Sequence, residues 1–203
     1  VDIAEGRVIV AGRPEVSKSI AEIAAYVYWG GVAAAVDLEE GALEVTSSAA
    51  PDGTYSNGCV IAVVEVDIET GNVQVESVVS VEDCGTMINP MVVEGQVHGA
   101  VAQGIGDALL EEIRYSEDGV FMTASLIDYL YPSTMDVPRI VVDHIVTPAP
   151  GVPGGVKGLG ESGVIATPGA VLNAVADALA PLGVQITSTP LGPAKIMELI
   201  ERA

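Results

Sequence analysis

The 203-residue sequence predicts an α+β fold, and three observations lead to that prediction. Two runs rich in β-branched residues are separated by a short turn, which is typical of a β-hairpin. Apolar residues recur at every fourth position between residues 91 and 113, which is typical of a helix. Strands and helices do not alternate regularly along the chain, so the pattern favours mixed helices and β-hairpins over repeated βαβ units.

The composition excludes several classes of protein. Eight basic residues against 28 acidic ones give a formal charge of −20, so nucleic acid is not expected as a partner. Hydrophobic residues make up 49% of the chain, which supplies a core and excludes intrinsic disorder. Every apolar run is interrupted before the ~18 residues of a membrane span, and two cysteines fit neither a disulfide framework nor a metal motif. We therefore expect a soluble, cytoplasmic protein without a membrane span.

The first of two predicted parts, residues 1–57, is expected to be a strand, a helix and a loop that complete the domain. The strand is predicted at Gly6–Val10 and the helix at Ile20–Tyr28. Ser17 or Ser19 caps this helix, and Glu22 follows Ser19 at the spacing of a capping box. The helix is expected to end at the glycine pair 30–31, and the loop at 37–57 is expected to hold one short strand at 43–46.

Residues 58–203 are the second predicted part, and they begin with the hairpin. Its strands are Cys59–Asp67 and Asn72–Val81, and the turn between them offers Gly71 for a positive φ. Alternation in the second strand predicts one buried and one polar face, with Val73, Val75 and Ser77 on the first and Gln74 and Glu76 on the second.

The helical segment 91–113 combines an apolar stripe with an unusual number of glycines. The stripe consists of Val93, Val97, Val101, Ile105 and Leu109, and the glycines are Gly95, Gly99, Gly104 and Gly106. Each glycine inside a helix costs about 1 kcal/mol relative to alanine, so something must come close to this backbone. Close helix packing and a cofactor lying on the helix both account for the pattern.

The remaining elements follow from turn residues and apolar runs. In chain order they are a turn at Tyr115–Gly119, a helix or strand at Val120–Tyr131, a strand at Ile140–Val146, a linker at Pro148–Pro150, a helix at Ala170–Leu179, a short strand at Ile186–Thr189, and a last helix that Pro190 and Pro193 open and Lys195–Ile200 fill.

The strongest candidate for chemistry is Glu161, in the glycine-rich run Gly155–Gly163. Glycines let a loop approach a ligand closely, and Lys157 is the one cation in the run. A carboxylate held there can act as a general base if burial raises its pKa towards the operating pH. A surface loop with a solvated glutamate is the alternative. The run lacks the features of a Walker or a dinucleotide fingerprint, which disfavours phosphoryl transfer.

Two further segments carry groups suited to ligand binding. Gln96 and Gln103 lie seven residues apart on one helical face, where their amides suit a heterocycle, an oxo group or a neighbouring helix. His98 has no acidic neighbour at ligand spacing, so no metal site is predicted. Asp83–Thr86 ends the hairpin, a position that commonly carries ligand contacts. Cys84 is alternatively a buried small hydrophobe.

Three motifs in this order resemble one known family. They are Asp83–Pro90 (DCGTMINP), Glu94–Gly106 (EGQVHGAVAQGIG) and Gly155–Gly163 (GVKGLGESG). They resemble the C-terminal part of the molybdopterin-binding large subunit of the xanthine dehydrogenase, aldehyde oxidase and aerobic carbon monoxide dehydrogenase family. The residues of these motifs are most similar to those of the carbon monoxide dehydrogenase-type branch. The similarity runs from about Tyr55 to the end and is weaker before it.

The resemblance implies a molybdopterin, often in its cytosine dinucleotide form, buried between two halves of the large subunit. Molybdenum is held there by the pterin dithiolene, which accounts for the missing metal ligands. The glutamate of the GxGE motif corresponds to Glu161 and acts as the base that deprotonates the water-derived ligand of molybdenum. The same matching implies cofactor contacts from Gln96, Cys84, Gly85, Thr86, Asn89 and Lys157.

The sequence departs from the family by lacking its upstream half, which includes the loop that selects among carbon monoxide, aldehyde and N-heterocycle substrates. The resemblance therefore implies activity only with partners: the remainder of the large subunit, a 2Fe-2S subunit and an FAD subunit. The chain is expected to be a separate subunit or a fragment. A non-catalytic module for assembly or cofactor binding, with its glycines used for helix packing, is the competing hypothesis.

Overall fold

The computed structural model of the protein describes residues 1–29, 43, 46–51 and 53–203. These residues form two compact units, Val1–Ala50 and Pro51–Ala203. Both combine helices with strands, so the α+β prediction is confirmed. The predicted helix stop at residues 30–31 lies outside the described residues, as does the centre of the strand predicted at 43–46. Residues 46–51 and 53–56 carry neither helix nor strand, as expected for the predicted loop.

The first unit is a three-stranded antiparallel sheet followed by a helix. Its elements are β1 (Asp2–Ala4), β2 (Arg7–Val10), β3 (Arg13–Ser19) and α1 (Ile20–Trp29), with the strands in the order β1-β2-β3. The predicted capping box is confirmed: the Glu22 amide donates to Ser19 Oγ at 3.1 Å, and the Ser19 amide donates to the Glu22 carboxylate at 2.8 Å. Strands β1 and β3 were not predicted, because neither has an alternating apolar pattern.

The second unit packs helices on one face of a mixed three-stranded sheet. Its elements are β4 (Asn57–Val66), β5 (Val73–Asp83), α2 (Pro90–Leu109), β6 (Arg139–His144), α3 (Ser162–Leu179) and α4 (Pro193–Arg202). Strands β4 and β5 are antiparallel, which confirms the hairpin, and β6 runs parallel to β5. The carboxyl ends of β5 and β6 therefore meet at one edge of the sheet, where the chain enters the segments that form the site.

A β-bulge in β5 makes part of the predicted assignment of its two faces wrong. Val63 pairs with Ser77 and Val64 with Val75, so Glu76 is an extra residue in the ladder. Val73 and Val75 face the core as predicted, but the bulge turns Ser77 outward, and Val78, Ser80 and Glu82 form the inner face beyond it. The alternation in the sequence has no feature that marks this change of face.

The core lies between the sheet and the helices α2 and α3. It contains Val78, Val97, Val101, Ile105, Val171, Val175 and Leu179, and Ile196 of α4 is also fully buried. Every residue of the predicted α2 stripe is buried. Gly163 and Gly104 lie at the contact between α2 and α3: an added Cβ would lie 2.9 Å from Ala100 Cβ and 2.6 Å from Thr167 Cβ, respectively. The two helices therefore pack closely through these glycines.

Glu82 is a buried carboxylate on the inner face of the sheet. Its side chain is 1% exposed, Ser80 Oγ donates to its Oε1 at 2.8 Å, and its Oε2 has no partner among the described residues. Gly58 lies opposite on β4, where a Cβ would come within 2.5 Å of that Oε2. Because Gly58 has no side chain, the Glu82 carboxylate has space at this position.

Both long helices differ from their predicted bounds. The amides of Leu110 and Glu111 both donate to the Gly106 carbonyl, and α2 ends at Leu109 instead of continuing to 113. Helix α3 begins at Ser162, well before the predicted 170, and contains Pro168. Pro168 has no backbone N–H, so a proline inside a pattern usually marks a boundary. Packing against α2 stabilises α3 on both sides of Pro168.

Two of the shorter predicted elements are wrong. Residues 120–131 form turns with a single bridge at Phe121, and 186–189 form no strand. Several local hydrogen bonds, such as Tyr129 N–H to the Ser125 carbonyl at 2.8 Å, hold residues 120–131 in turns.

Residues Ser162–Leu182 form a segment that is long and apolar enough to cross a membrane. They contain α3, whose inner residues are buried in the core, as in the core helix of a soluble protein.

Candidate functional site

A pocket of about 410 Å³ lies at the carboxyl end of β5. Three segments form its wall: the turn after β5, the first two turns of α2, and the glycine-rich run before α3. Five of the residues predicted to contact a cofactor line it, namely Cys84, Thr86, Asn89, Gln96 and Lys157. Motifs that are far apart in the sequence, from Cys84 to Gly160, therefore meet at one place.

Backbone hydrogen bonds join the turn after β5 to the glycine-rich run. The Thr86 amide donates to the Gly155 carbonyl at 3.1 Å, and the Lys157 amide donates to the Cys84 carbonyl at 2.8 Å. Gly85 has φ +66°, and a Cβ there would overlap the Gly155 carbonyl oxygen. Glycine is thus required at position 85 because the two segments touch, and Gly85 does not line the pocket. Its predicted cofactor contact stays a prediction.

Asp83 forms a buried ion pair with Lys157, one of the residues that line the pocket. Lys157 Nζ lies 3.0 Å from Asp83 Oδ2, and the two side chains are 8% and 10% exposed, respectively. The amides of Gly85 and Thr147 donate to Asp83 Oδ1 at 2.9 and 3.1 Å. The Gly85 hydrogen bond, with those from Thr147 and Lys157, holds the pKa of Asp83 well below its usual value. Lys157, predicted as a cofactor contact, thus has a partner within the protein.

Gln96 joins α2 to the glycine-rich run. Its Nε2 donates to the Gly160 carbonyl at 2.8 Å, across 64 residues of sequence. Gln103 is exposed on the same helix, and His98 places Nδ1 2.8 Å from the Glu94 carbonyl oxygen, within its own helix. Of the two predicted amides, the structure therefore brings Gln96 into the site. No group of three potential metal-ligating side chains occurs among the residues that the structure describes.

Glu161 follows Gly160 directly and is the N-cap residue of α3. Its carbonyl accepts the amides of Val164 and Ile165 at 3.2 and 3.3 Å. Its side chain is exposed and makes no capping hydrogen bond. Glu161 thus directly follows Gly160, which lines the pocket, and its side chain is exposed.

Cys84 and Asn89 have structural partners as well as places on the pocket wall. Cys84 is 4% exposed, and burial, reinforced by the neighbouring carboxylates of Asp83 and Glu82, raises the pKa of its thiol. Asn89 caps α2, with its Oδ1 accepting the Val92 amide at 3.4 Å. Cys84 is therefore a buried small hydrophobic residue, as one of the two interpretations of the sequence predicted. It also lines the pocket.

The glycines of the two motifs divide into packed and open ones. Gly104 and Gly163 mediate helix packing, whereas a Cβ at Gly95, Gly99, Gly158 or Gly160 would meet nothing within 4 Å. Gly95 and Gly99 are exposed on the side of α2 that carries Gln96, and Gly158 and Gly160 belong to the run that Gln96 contacts. Close helix packing therefore accounts for Gly104, whereas a cofactor lying on the helix stays a prediction for Gly95 and Gly99.

The apolar part of the pocket wall was not predicted. It includes Ile88, Val92 and Leu159, of which Ile88 is 84% and Val92 58% exposed. Apolar side chains at exposed positions of a helix are the signal that could have indicated this surface. The wall combines these apolar side chains with the polar side chains of Thr86, Asn89 and Gln96, which suits a large ligand that offers polar edges.

The fold and the partly apolar pocket are those of a domain that can hold an organic ligand. The Molybdopterin cofactor-binding domain family matches residues 1–138. The chain belongs to that family. The match includes the N-terminal unit, where the resemblance of the motifs was weaker, and ends before the glycine-rich run.

Relatives extend the similarity over nearly the whole chain. The nicotine 6-hydroxylase large subunit of Paenarthrobacter nicotinovorans is 46% identical over 95% of this chain, and the carbon monoxide dehydrogenase large chain of Afipia carboxidovorans is 37% identical over 84%. The alignments cover 24% and 21% of those proteins.

Solved structures agree with this assignment. Quinoline 2-oxidoreductase from Pseudomonas putida 86 superposes with a TM-score of 0.81 at 45% identity, over 98% of this chain and 25% of that one. A Cu,Mo-CO dehydrogenase superposes with a TM-score of 0.80 at 33% identity, over 99% and 25%. The chain thus spans about a quarter of the length of the proteins it matches, and it corresponds to one part of a molybdenum-binding large subunit.

Proposed function

We propose that this chain is the C-terminal part of the large subunit of a molybdenum hydroxylase and that Glu161 is its general base. The observation that carries the proposal is the hydrogen bond from Gln96 to the Gly160 carbonyl, 2.8 Å long, which fixes the residue before Glu161 at the rim of the pocket. Glu161 itself is exposed and makes no capping hydrogen bond, so its carboxylate is free to accept a proton.

The residues present fit a molybdopterin. Gly95, Gly99, Gly158 and Gly160 leave backbone exposed where a side chain would fill the space. Thr86 and Asn89 offer polar atoms on the pocket wall, and the apolar side chains beside them suit the faces of a fused ring. When bound, the cofactor supplies a metal centre that accepts two electrons and delivers an oxygen atom derived from water. The cytosine dinucleotide form is our proposal for its identity.

In this proposal each residue of the chain has a limited task. Glu161 accepts the proton that must leave as a water-derived oxygen is transferred to the substrate carbon. Gln96 holds the loop that carries Glu161. Val92 and Leu159 exclude bulk water from this side of the pocket, which strengthens electrostatic interactions within it.

We propose an aromatic N-heterocycle as the substrate class. The nicotine hydroxylase subunit and the quinoline oxidoreductase are 46% and 45% identical to this chain, against 37% and 33% for the two carbon monoxide dehydrogenases described above. Aldehydes and carbon monoxide are the alternatives. The remainder of the large subunit, a 2Fe-2S subunit and an FAD subunit complete the proposed enzyme, which we place in the cytoplasm.

The direct test is Glu161→Gln in the assembled enzyme, which removes the base and keeps the size of the side chain. We expect kcat to fall by about 100- to 10,000-fold, as for loss of a general base, while molybdenum and pterin contents stay at the wild-type level. Glu117→Gln is the matched control, because Glu117 is an exposed glutamate outside the site. Wild-type kcat in Glu161→Gln would show that this carboxylate is not the base.

The competing hypothesis, a non-catalytic module, is tested by the molybdenum and pterin content of the purified complex. Elemental analysis of the purified complex and the fluorescence of its oxidised pterin should both give close to one cofactor per chain. A complex that contains neither molybdenum nor pterin would favour the assembly module.

A further inference from the structure

Lys157 and Asp83 differ from the other ion pairs of the described residues. Their side chains are 8% and 10% exposed, whereas the other pairs join side chains that are 36–70% exposed. Surface pairs contribute little to stability, but removing one partner of a buried pair leaves an uncompensated charge. The Asp83–Lys157 pair is thus the one whose loss would most disturb its surroundings.

This pair connects three segments of the chain. Asp83 ends β5, Thr147 follows β6 and donates its amide to Asp83 Oδ1 at 3.1 Å, and Lys157 lies in the glycine-rich run. The backbone bonds of Thr86 with Gly155 and of Lys157 with Cys84 reinforce the same junction. The start of the glycine-rich run is therefore held to the end of the sheet by both main-chain and side-chain bonds.

The run beyond Lys157 has few other restraints before α3. Cβ atoms at Gly158 and Gly160 would meet nothing within 4 Å, so no neighbouring group packs against those positions. Leu159 packs partly buried against the core, and Gln96 donates to the Gly160 carbonyl. Lys157 therefore holds the start of the segment 157–160, Leu159 and Gln96 hold its end, and Glu161 follows immediately.

We infer that Asp83 and Lys157 are positioning residues that fix the glycine-rich run and, through it, the carboxylate of Glu161. Lys157 acts within the protein and not as a ligand of the cofactor. The inference rests on the proposed role of Glu161. The expected consequence of breaking the pair is a displaced base in an enzyme that still holds its cofactor.

The test uses the assembled holoenzyme with Lys157→Met, Asp83→Asn and the double variant. Lys195→Met is the matched control, because Lys195 also pairs with a carboxylate, that of Glu198 at 3.5 Å, but on the surface of α4. The measurements are kcat, KM, molybdenum and pterin content, and deuterium exchange of the peptide that contains residues 155–161.

We expect each single variant to keep its cofactor, to lose about 10- to 100-fold in kcat with little change in KM, and to exchange faster at 155–161. The double variant should lie nearer to wild type than either single one, because it leaves no unpaired buried charge. The control should match wild type in every measurement. If a single variant does not assemble, the same measurements are made on the double variant.

Three results would overturn the inference. Unchanged exchange at 155–161 would show that the pair does not fix the run, and unchanged kcat would show that its position does not matter. Loss of pterin with normal turnover per remaining molybdenum would make Lys157 a cofactor ligand. If Glu161→Gln is fully active, the proposed function fails, whereas exchange at 155–161 still decides whether the pair holds the run.

Discussion

Asp83 links the acid stability of the chain to the geometry of its site. The Gly85 amide, the Thr147 amide and Lys157 hold its folded-state pKa below the unfolded value of about 3.9. A depressed carboxyl pKa contributes stability above the unfolded pKa, and that contribution is lost as the pH falls towards the folded one. The stabilisation is therefore present at neutral pH and declines below about pH 4.

We expect Asp83→Asn to lower the free energy of unfolding at pH 7 and the difference from wild type to shrink on acidification below about pH 4. Urea denaturation curves recorded between pH 7 and pH 3 measure this. Asp118→Asn, at an exposed turn residue, should change stability by less than about 0.5 kcal/mol. A difference that stays constant over this range would mean that the Asp83 carboxylate is not selectively stabilised in its charged form.

The sequence identified most residues of the site but not their partners. Its motifs indicated Gln96, Cys84, Lys157 and Glu161, and the structure brings the first three onto one pocket wall, with Glu161 next in sequence to the wall residue Gly160. The pairing of Lys157 with Asp83 joins residues 74 apart, and no local pattern expresses such a contact. For the same reason, the sequence alone does not indicate that Lys157 has a carboxylate partner within the protein.

At the scale of elements, α2 carries two kinds of glycine that ought to respond oppositely to substitution. A Cβ at Gly104 would lie 2.6 Å from Thr167 Cβ and 3.2 Å from Pro168 Cδ, which are parts of α3 that cannot rotate away. A Cβ at Gly99 would meet nothing within 4 Å. The two positions differ in their surroundings and share the same helix.

Gly104→Ala should destabilise the chain by about 1–3 kcal/mol, the range for overpacking a core. Gly99→Ala should stabilise it by up to about 1 kcal/mol, the difference in helix propensity. Chemical denaturation of the two variants provides the comparison. In the assembled enzyme, Gly99→Ala should also lower the pterin content, because its methyl group occupies the open side of α2. Equal stability effects at the two positions would contradict this division of the glycines.

Elements with a strong periodic pattern were predicted, and those shaped by tertiary contacts were not. The β4–β5 hairpin, the α2 stripe and the capping box of α1 all follow from local sequence. The bulge at Glu76 and the continuation of α3 through Pro168 depend on neighbours distant in sequence. Strands β1 and β3 pair with β2 without an apolar alternation of their own, so nothing in the sequence marked them.

At the scale of the whole molecule, the second unit has an apolar surface that its own helices do not cover. The outer face of the sheet carries Ile61 (61% exposed), Val63 (53%), Val79 (37%) and Val141 (42%). Helices α2 and α3 pack on the opposite face, over the inward residues of the same strands. Because the chain spans about a quarter of its relatives' length, we expect the rest of the large subunit to cover this outer face.

Replacing residues of the outer face should therefore affect assembly more than folding. Ile61→Ser should change the free energy of unfolding of the chain by no more than about 1 kcal/mol, since the side chain is mostly exposed and only strand propensity changes. The same variant should lower the yield of assembled large subunit, measured by size-exclusion chromatography after co-production of the chain with the remaining polypeptide. Val60→Ser, on the inner face, is the control and should destabilise the chain itself. A wild-type yield of the assembled Ile61→Ser protein would show that solvent, and not the rest of the subunit, faces this side of the sheet.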